Sequence, residues 1–427
     1  MKAFTIFLVF LIFCPAFSQF GWEPLVSGTT VNLNAVWFVD DSTGFVAGDN
    51  GLVLKTTDAG FSWSDISPAG APNLYGIYFF NADSGLVVGQ SGKIFRTTDG
   101  GATWSEISSG IFSKLRSVSF CGDIGICGAQ DQGILYSQDA GRTWTVFQSG
   151  LMGGGFFGAS MVNENVGYLG GENSIFQPIL AKTTNGGMNW SFSVFYLNNN
   201  EGRILALDFI NPDTGFAASR LWNGGGAISV TSDGGQNWNT TIFNTTMNGV
   251  EALDVDTMVV VYAVGDQGMI VKSINYGGFW MFQNSGVAAA LNAVHFLNPD
   301  TGFVVGSGGV ILRTTTGGEP PNRLTNDRNS TIPRTTRLVG NYPNPFNPST
   351  RIAYRLATTA RVVLEIFDIT GRQVAILNEG VRTAGSYQTE WQAGTLPGGV
   401  YFCRMTATAP DNLEIIHQQT IKMVLIR

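Results

Sequence analysis

Thr56-Thr57-Asp58-Ala59-Gly60-Phe61-Ser62-Trp63 decides how this chain is read, because the same phrase keeps returning. Its pattern is Ser or Thr, then Asp or Asn two residues later, Gly two after that and Trp three further on. Later copies end at Trp104, Trp144, Trp190, Trp238 and Trp280. The acidic or amide position is Asp58, Asp99, Asp139, Asn185, Asp233 and Asn275, at spacings of 41, 40, 46, 48 and 42 residues. A seventh copy, Thr314-Thr315-Thr316-Gly317-Gly318, follows in step and stops before any Trp. Repeats of this length, each with several short alternating strands, are the size of one propeller blade.

The phrase has a mechanical reading. An Asp or Asn at a turn accepts hydrogen bonds from backbone N–H groups just ahead, and the Gly adopts positive φ, so the pair closes a tight hairpin. The Trp then packs its face beside that turn. The phrase resembles the Asp-box of sialidases and related propellers, where it is a structural hairpin away from the active site. The six Asp and Asn residues are therefore read as structural, not as calcium ligands or catalysts.

Each repeat also holds an earlier hairpin, such as Val36-Trp37-Phe38 running to Thr43-Gly44-Phe45-Val46-Ala47-Gly48, which gives four strands per blade. The missing seventh Trp is supplied from the other end. Trp22-Glu23-Pro24-Leu25-Val26-Ser27-Gly28 matches the segments that start at Trp104 and Trp280. The expected fold is all-β: a seven-bladed propeller over 19–318 whose last blade borrows its outer strand from the N-terminus, leaving no free sheet edge. The grammar resembles the propeller of the photosystem II assembly and stability factor family over roughly 22–318. That resemblance implies architecture; members of the family bind other proteins.

The first residues, Met1-Lys2 and an apolar run from Ala3 to Phe17, read as a secretory signal over 1–18, with Ala16 and Ser18 as the small residues before the cut. Cys14 invites a lipoprotein reading, but Phe13 stands where that processing needs a small side chain. No second apolar run follows, so no transmembrane segment is expected after signal removal. Gly at 55 of 427 residues and charged residues at 13% point to many turns and many half-buried strands. Residues 19–318 hold 11 basic and 23 acidic groups, a net of −12, which repels phosphate backbones and excludes nucleic acid as the expected partner. Cys121, Cys127 and Cys403 are too few for a disulfide scaffold; Cys121 and Cys127 either bridge one hairpin or, the preferred reading, pack as small apolar groups. His295 and His417 lie in separate segments and form no metal cluster, and no cofactor is implied.

From 319 to 340 the propeller grammar gives way to prolines, arginines and polar residues, an exposed linker. A second unit spans 341–427. It opens Asn341-Tyr342-Pro343-Asn344-Pro345-Phe346-Asn347-Pro348, continues through two alternating strands around Thr370-Gly371-Arg372 and Leu396-Pro397-Gly398-Gly399-Val400-Tyr401-Phe402, and ends Lys422-Met423-Val424-Leu425-Ile426-Arg427. About seven short strands in an immunoglobulin-like sandwich fit this spacing. The segment looks like the C-terminal sorting domain of type A cargo of the type IX secretion system of Bacteroidota and their relatives. The resemblance implies the type IX machinery as partner, passage through the periplasm and across the outer membrane, then tail cleavage with release or surface attachment.

The repeat is uneven on one face only, where second-to-third strand loops and blade-to-blade connections lie: segments 150–158, 171–178, 198–203 and 219–226 are long. Irregular loops on a regular scaffold are where binding resides. They carry Phe156, Phe157, Glu172, Phe176, Glu201, Arg203, Arg220 and Trp222, and Arg116 maps to the same face; aromatic and Arg side chains together favour an extracellular protein or glycan ligand. Arg96 and Arg313 share a repeated basic position with Lys55, Lys182 and Lys272 beside the Asp-box turn and are read as structural. Asp208, Asp254 and His295, in register with Trp37, Tyr78 and Ser119 on the innermost strands, are candidates for lining a central channel. No catalytic residue is assigned. There is no Phe-Arg-Ile-Pro motif and no singled-out carboxylate pair, so non-enzymatic binding or scaffolding leads, with a sialidase-like or other glycoside hydrolase on extracellular glycans as the alternative.

Overall fold

The computed structural model describes residues 21–319 and 336–426, apart from 132, 151–152, 196, 198–200, 256–257, 343–345 and 411–414. The expected signal over 1–18 and most of the expected linker over 319–340 lie outside the described residues.

The first unit contains seven four-stranded antiparallel sheets, and six of them run in simple chain order. Blade 1 is Leu33–Phe38, Gly44–Gly48, Val53–Thr56 and Ser64–Asp65. Blade 7 takes Leu291–Phe296, Gly302–Gly306 and Ile311–Gly318 from its own repeat, and its fourth strand is Gly21–Leu25. There Pro24 lies opposite Leu312 and Leu25 opposite Ile311, so the borrowed strand is observed. Trp22 is fully buried and meets Phe296 edge-on at 5.9 Å, as Trp63 meets Phe38 and Trp104 meets Phe79. It is the seventh Trp.

Every second strand is buried between blades, which explains runs such as Gly-Phe-Val-Val-Gly with no polar face. A Cβ on Gly44 would lie 2.4 Å from the Phe38 ring, so the Gly is what lets that ring cross the sheet. Phe38 then stacks on Phe303 of blade 7 at 3.6 Å, and Phe79 on Phe45 of blade 1 at 3.5 Å. Blades are glued by these rings, each contributing about 1 kcal/mol beyond area burial.

The repeated turn behaves as its sequence implies, with one partner added. Asp58 Oδ1 accepts from Ser62 N at 2.8 Å, and Gly60 has φ 88°. The Thr56 hydroxyl donates to Asp58 and accepts from Gly60 N at 2.9 Å. The same three-way bonding recurs at Thr97, Ser137, Thr183, Thr231 and Ser273. Hydrogen bonds to Asp99 and Asp233 hold both carboxyls down at about 2. The repeated basic position ties blade to blade: Lys55 Nζ donates to Gly100 O, Arg96 Nε to Ala140 O and Lys272 Nζ to Gly317 O. Cys121 and Cys127 are free. Cys127 sits opposite Val118, three residues from Cys121, which turns the two thiols to opposite faces of the hairpin.

The second unit is a β-sandwich. Arg337–Tyr342, Ser349–Leu356 and Gly385–Gln392 form one sheet; Gln373–Arg382, Ala360–Asp368, Gly399–Thr408 and Ile415–Leu425 form the other. Leu338, Ile352 and Trp391 from the first meet Leu364, Cys403 and Met405 from the second in one core. Among the described residues of the whole chain, no helix is long and apolar enough to cross a membrane.

Candidate binding face

The seven innermost strands surround a central channel, a cavity of about 420 Å³ to which every blade contributes. Each of these strands bulges after its first paired core residue, between Leu33 and Ala35 in blade 1 and at the equivalent place in the others. The residue that bulges turns toward the channel mouth on the loop-rich face. In blades 1, 6 and 7 it is Asn34, Asn248 and Asn292, and each amide donates to a carbonyl of the next blade: Leu74 O, Leu291 O and Leu33 O. Blades 2, 3 and 4 place Tyr75, Arg116 and Phe157 there instead.

These side chains continue into a stack. The Arg116 guanidinium lies 4.6 Å from the Tyr75 ring and 5.7 Å from Phe157; that of Arg203 lies 5.2 Å from Phe157 and 4.7 Å from Trp222. Two cations are thus interleaved with three rings across blades 2 to 5, the arrangement in which a guanidinium keeps its charge while losing water. Arg116 donates to Gln130 Oε1 at 3.0 Å, and Arg203 lies 3.4 Å from Glu172 Oε1. Burial raises the Glu172 carboxyl while Arg203 lowers it, with a net rise. The Nε atoms of both arginines and Glu172 Oε2 are buried without a hydrogen-bond partner. Buried polar atoms left open this way are costly unless something arrives to satisfy them.

Of the residues expected on this face, Arg116, Phe157, Glu172, Phe176, Arg203, Arg220 and Trp222 come together. Arg220 lies 5.8 Å from the Trp222 ring, and Phe176 meets that ring edge-on at 5.6 Å. Glu201 flanks the group, exposed, with its backbone carbonyl accepting from Trp222 N. Phe156 does not join them: it is 1% exposed and packs in the core between blades 3 and 4, because the bulge aims only its neighbour Phe157 at the mouth. Tyr75 was not singled out by sequence; its position directly after Leu74, equivalent to Arg116 after Leu115, is the signal that would have found it.

Deeper in the channel the equivalent residues are Trp37, Tyr78, Ser119, Ser160, Asp208, Glu251 and His295. Asp254 is displaced from this column, three residues further on and exposed opposite Val259, and Glu251 holds its place. Blade 6 lacks the Gly-Phe landmark from which the register is counted, and its first strand runs on to Val255. Hydrogen bonds from the column tie blade to blade at six of the seven junctions, and at the remaining one Tyr78 of blade 2 meets the Phe120 ring of blade 3 at 5.1 Å. Ser119 Oγ accepts from Met161 N, Ser160 Oγ from Phe209 N, Asp208 Oδ2 from Ala252 N and Glu251 Oε2 from Phe296 N. Trp37 Nε1 donates to Phe79 O.

His295 completes the circuit between blade 7 and blade 1. Its Nε2 is 3.1 Å from Phe38 O, and its Nδ1 is 3.2 Å from Glu251 Oε1. A carbonyl and a carboxylate both accept, so this placement favours the imidazolium form, in which both ring nitrogens donate. Burial opposes that charge, but Glu251, Phe38 O and Asp208 outweigh it and raise the pKa above its ordinary value. Asp208 is pushed up to about 7, first by burial and further by Glu251, against the hydrogen bond from Ala252 N. Among the described residues no group of three or more His, Cys, Asp or Glu is placed to hold a metal ion.

Comparison with known proteins agrees with this architecture. The sequence profile of the photosynthesis system II assembly factor YCF48 matches residues 64–194 and 217–315, and that of a secretion system C-terminal sorting domain matches 341–417. No curated protein matches the chain. Among solved structures, YCF48 bound to D1 peptide is similar with a TM-score of 0.54 at 20% identity, over 70% of this chain and 96% of that one. YCF48 from Cyanidioschyzon merolae is similar with a TM-score of 0.53 at 20% identity, over 69% and 98%. The WD40 propeller domain of Doa1 is similar with a TM-score of 0.55 at 14% identity, over 70% and 96%.

Proposed function

Since this chain belongs to the family of the photosynthesis system II assembly factor YCF48, we propose that its propeller is a non-enzymatic peptide-binding module that works outside the cell, carried there by its sorting domain. One observation carries the reading: two guanidiniums stacked between rings at the channel mouth, each with a buried N–H left open. Such a surface offers fixed charge, flat apolar contact and little entropy to lose, which suits an extended peptide with acidic groups. That a YCF48 has been solved with a D1 peptide bound supports the same class of ligand for this chain. In the export route proposed, residues 1–18 are removed on entry to the periplasm and 341–427 after passage through the type IX machinery.

Against the hydrolase alternative, the two carboxylates that line the channel among the described residues are engaged in joining blades. Asp208 and Glu251 each accept from a backbone N–H of the next blade, so both serve the ring.

The test is a pool of peptides released from the producing cell's envelope, offered to the full chain, with hydrogen exchange as readout. Protection should fall on 155–161 and 202–222, and Arg116→Gln should weaken binding about tenfold, the loss of one charge-assisted contact, without lowering the melting temperature by more than a few degrees. Protection confined to the opposite face, or none, would remove the reading.

A further inference from the structure

Blades 4 and 5 hold three features that the stacked arginines alone do not explain. The first is a like-charge pair: Arg203 and Arg220 are direct partners across antiparallel strands, and both guanidiniums lie against the same Trp222 ring, at 4.7 and 5.8 Å. Like charges set opposite each other destabilise a sheet. Glu172 answers only Arg203, at 3.4 Å, and Arg220 is exposed to solvent.

The second is a backbone conformation. The connection between second and third strands carries a positive-φ residue in several blades, and elsewhere it is Asn50, Ser91, Asp131, Gln267 or Gly308. Those are small or polar types that tolerate the left-handed region; blade 4 uses Phe176, at φ 61°. A bulky ring held in this conformation is strained, and strain of this kind gathers at ligand-contacting loops. The third is exposure. Ile175 is 63% exposed, Phe176 56% and Trp222 39%, and Trp222 Nε1 donates to Phe176 O at 3.2 Å, which fixes the two rings as one platform.

We infer that blades 4 and 5 form a two-part subsite in which Arg203 and Arg220 take one carboxylate while Ile175, Phe176 and Trp222 take a large apolar side chain beside it. The ligand is a peptide segment with an acidic residue next to an aromatic or large aliphatic one. A carboxylate between the two guanidiniums removes their repulsion and offers an acceptor to the open Nε of Arg203. The apolar neighbour covers the platform that the strained turn raises into solvent. This rests on the peptide-binding reading above and narrows it to a sequence preference.

The probe is an end-capped, fluorescein-labelled Gly-Glu-Phe-Gly peptide, with Gly-Gln-Phe-Gly and Gly-Glu-Ala-Gly as comparisons, titrated by anisotropy against the full chain. The parent peptide should bind, and each comparison should bind about tenfold more weakly. Arg220→Gln should erase the difference between Glu and Gln but keep that between Phe and Ala. Phe176→Gly should do the reverse, and it should fold at least as well, since Gly accepts this φ without strain. Equal binding of the three peptides, or either variant leaving its difference intact, overturns the subsite. If the envelope peptides protect this face while the three probes are not told apart, only the preference falls; if neither pool nor probe binds, both readings fall.

Discussion

At the scale of single residues, the channel and the repeated turns give the propeller opposite responses to pH. Folding raises the pKa of Asp208 to about 7 and lifts His295 above its ordinary 6.5. The native protein therefore holds more protons at these groups than the unfolded chain, and their contribution falls as pH rises: for Asp208 from about 4 to about 7, for His295 from 6.5 upward through its raised value. The turn carboxylates act the other way. Asp58, Asp99 and Asp233 are lowered by their hydroxyl and N–H partners, so the stability they add is full above their unfolded pKa and is lost as pH falls toward 2. Melting temperature should peak near pH 4 to 5 and decline through neutrality. Asp208→Asn should flatten the decline between pH 4 and 7, and His295→Gln should flatten it above 6.5, each by a few degrees in scanning calorimetry. A profile that rises from pH 5 to 8 would contradict the protonated His295 bridge.

At the scale of the element, what was legible in sequence was what is built locally. The turn closes on residues two to four apart, so Thr56, Asp58, Gly60 and Trp63 repeat as a readable phrase. Trp22 was legible because its strand carries the same phrase-end as Trp104 and Trp280. The bulges were not: one extra residue decides that Phe157 enters the arginine stack while Phe156 enters the core, and nothing in the pair Phe156-Phe157 says which. Asp254 was placed three residues out of register for the same reason, since register is a property of two strands and blade 6 lacks its landmark. The closing strand also carries a prediction. Trp22 is fully buried while Trp63 is only partly so, so Trp22→Ala should cost about 3–5 kcal/mol in denaturant melts, the upper range for a large core truncation, and Trp63→Ala should cost less. Deletion of 19–30 should expose the Ile311–Gly318 edge and cause aggregation. A deletion that melts like the intact chain would mean that the ring does not depend on the borrowed strand.

For the molecule as a whole, two folded units divide the work, and the division can be tested because each has its own core. The seven blades bury their rings among themselves, and the sandwich encloses Leu338 through Leu425 in a core built from its own two sheets. Removing 341–427 should therefore leave a propeller that melts as before, while export past the outer membrane fails and the truncated protein collects in the periplasm. The converse is the stricter experiment. Residues 319–427 fused behind a signal-bearing reporter should carry it to the surface of a host with type IX machinery, and a host without that machinery should retain it. Mass spectrometry of surface protein should find a new C-terminus between 319 and 341 if the tail is removed after passage, as the export route proposed above requires. Surface delivery that survives loss of the tail would mean that the sandwich matching a sorting domain does not sort this protein, and the signal that carries the propeller out would then have to lie within residues 1–340.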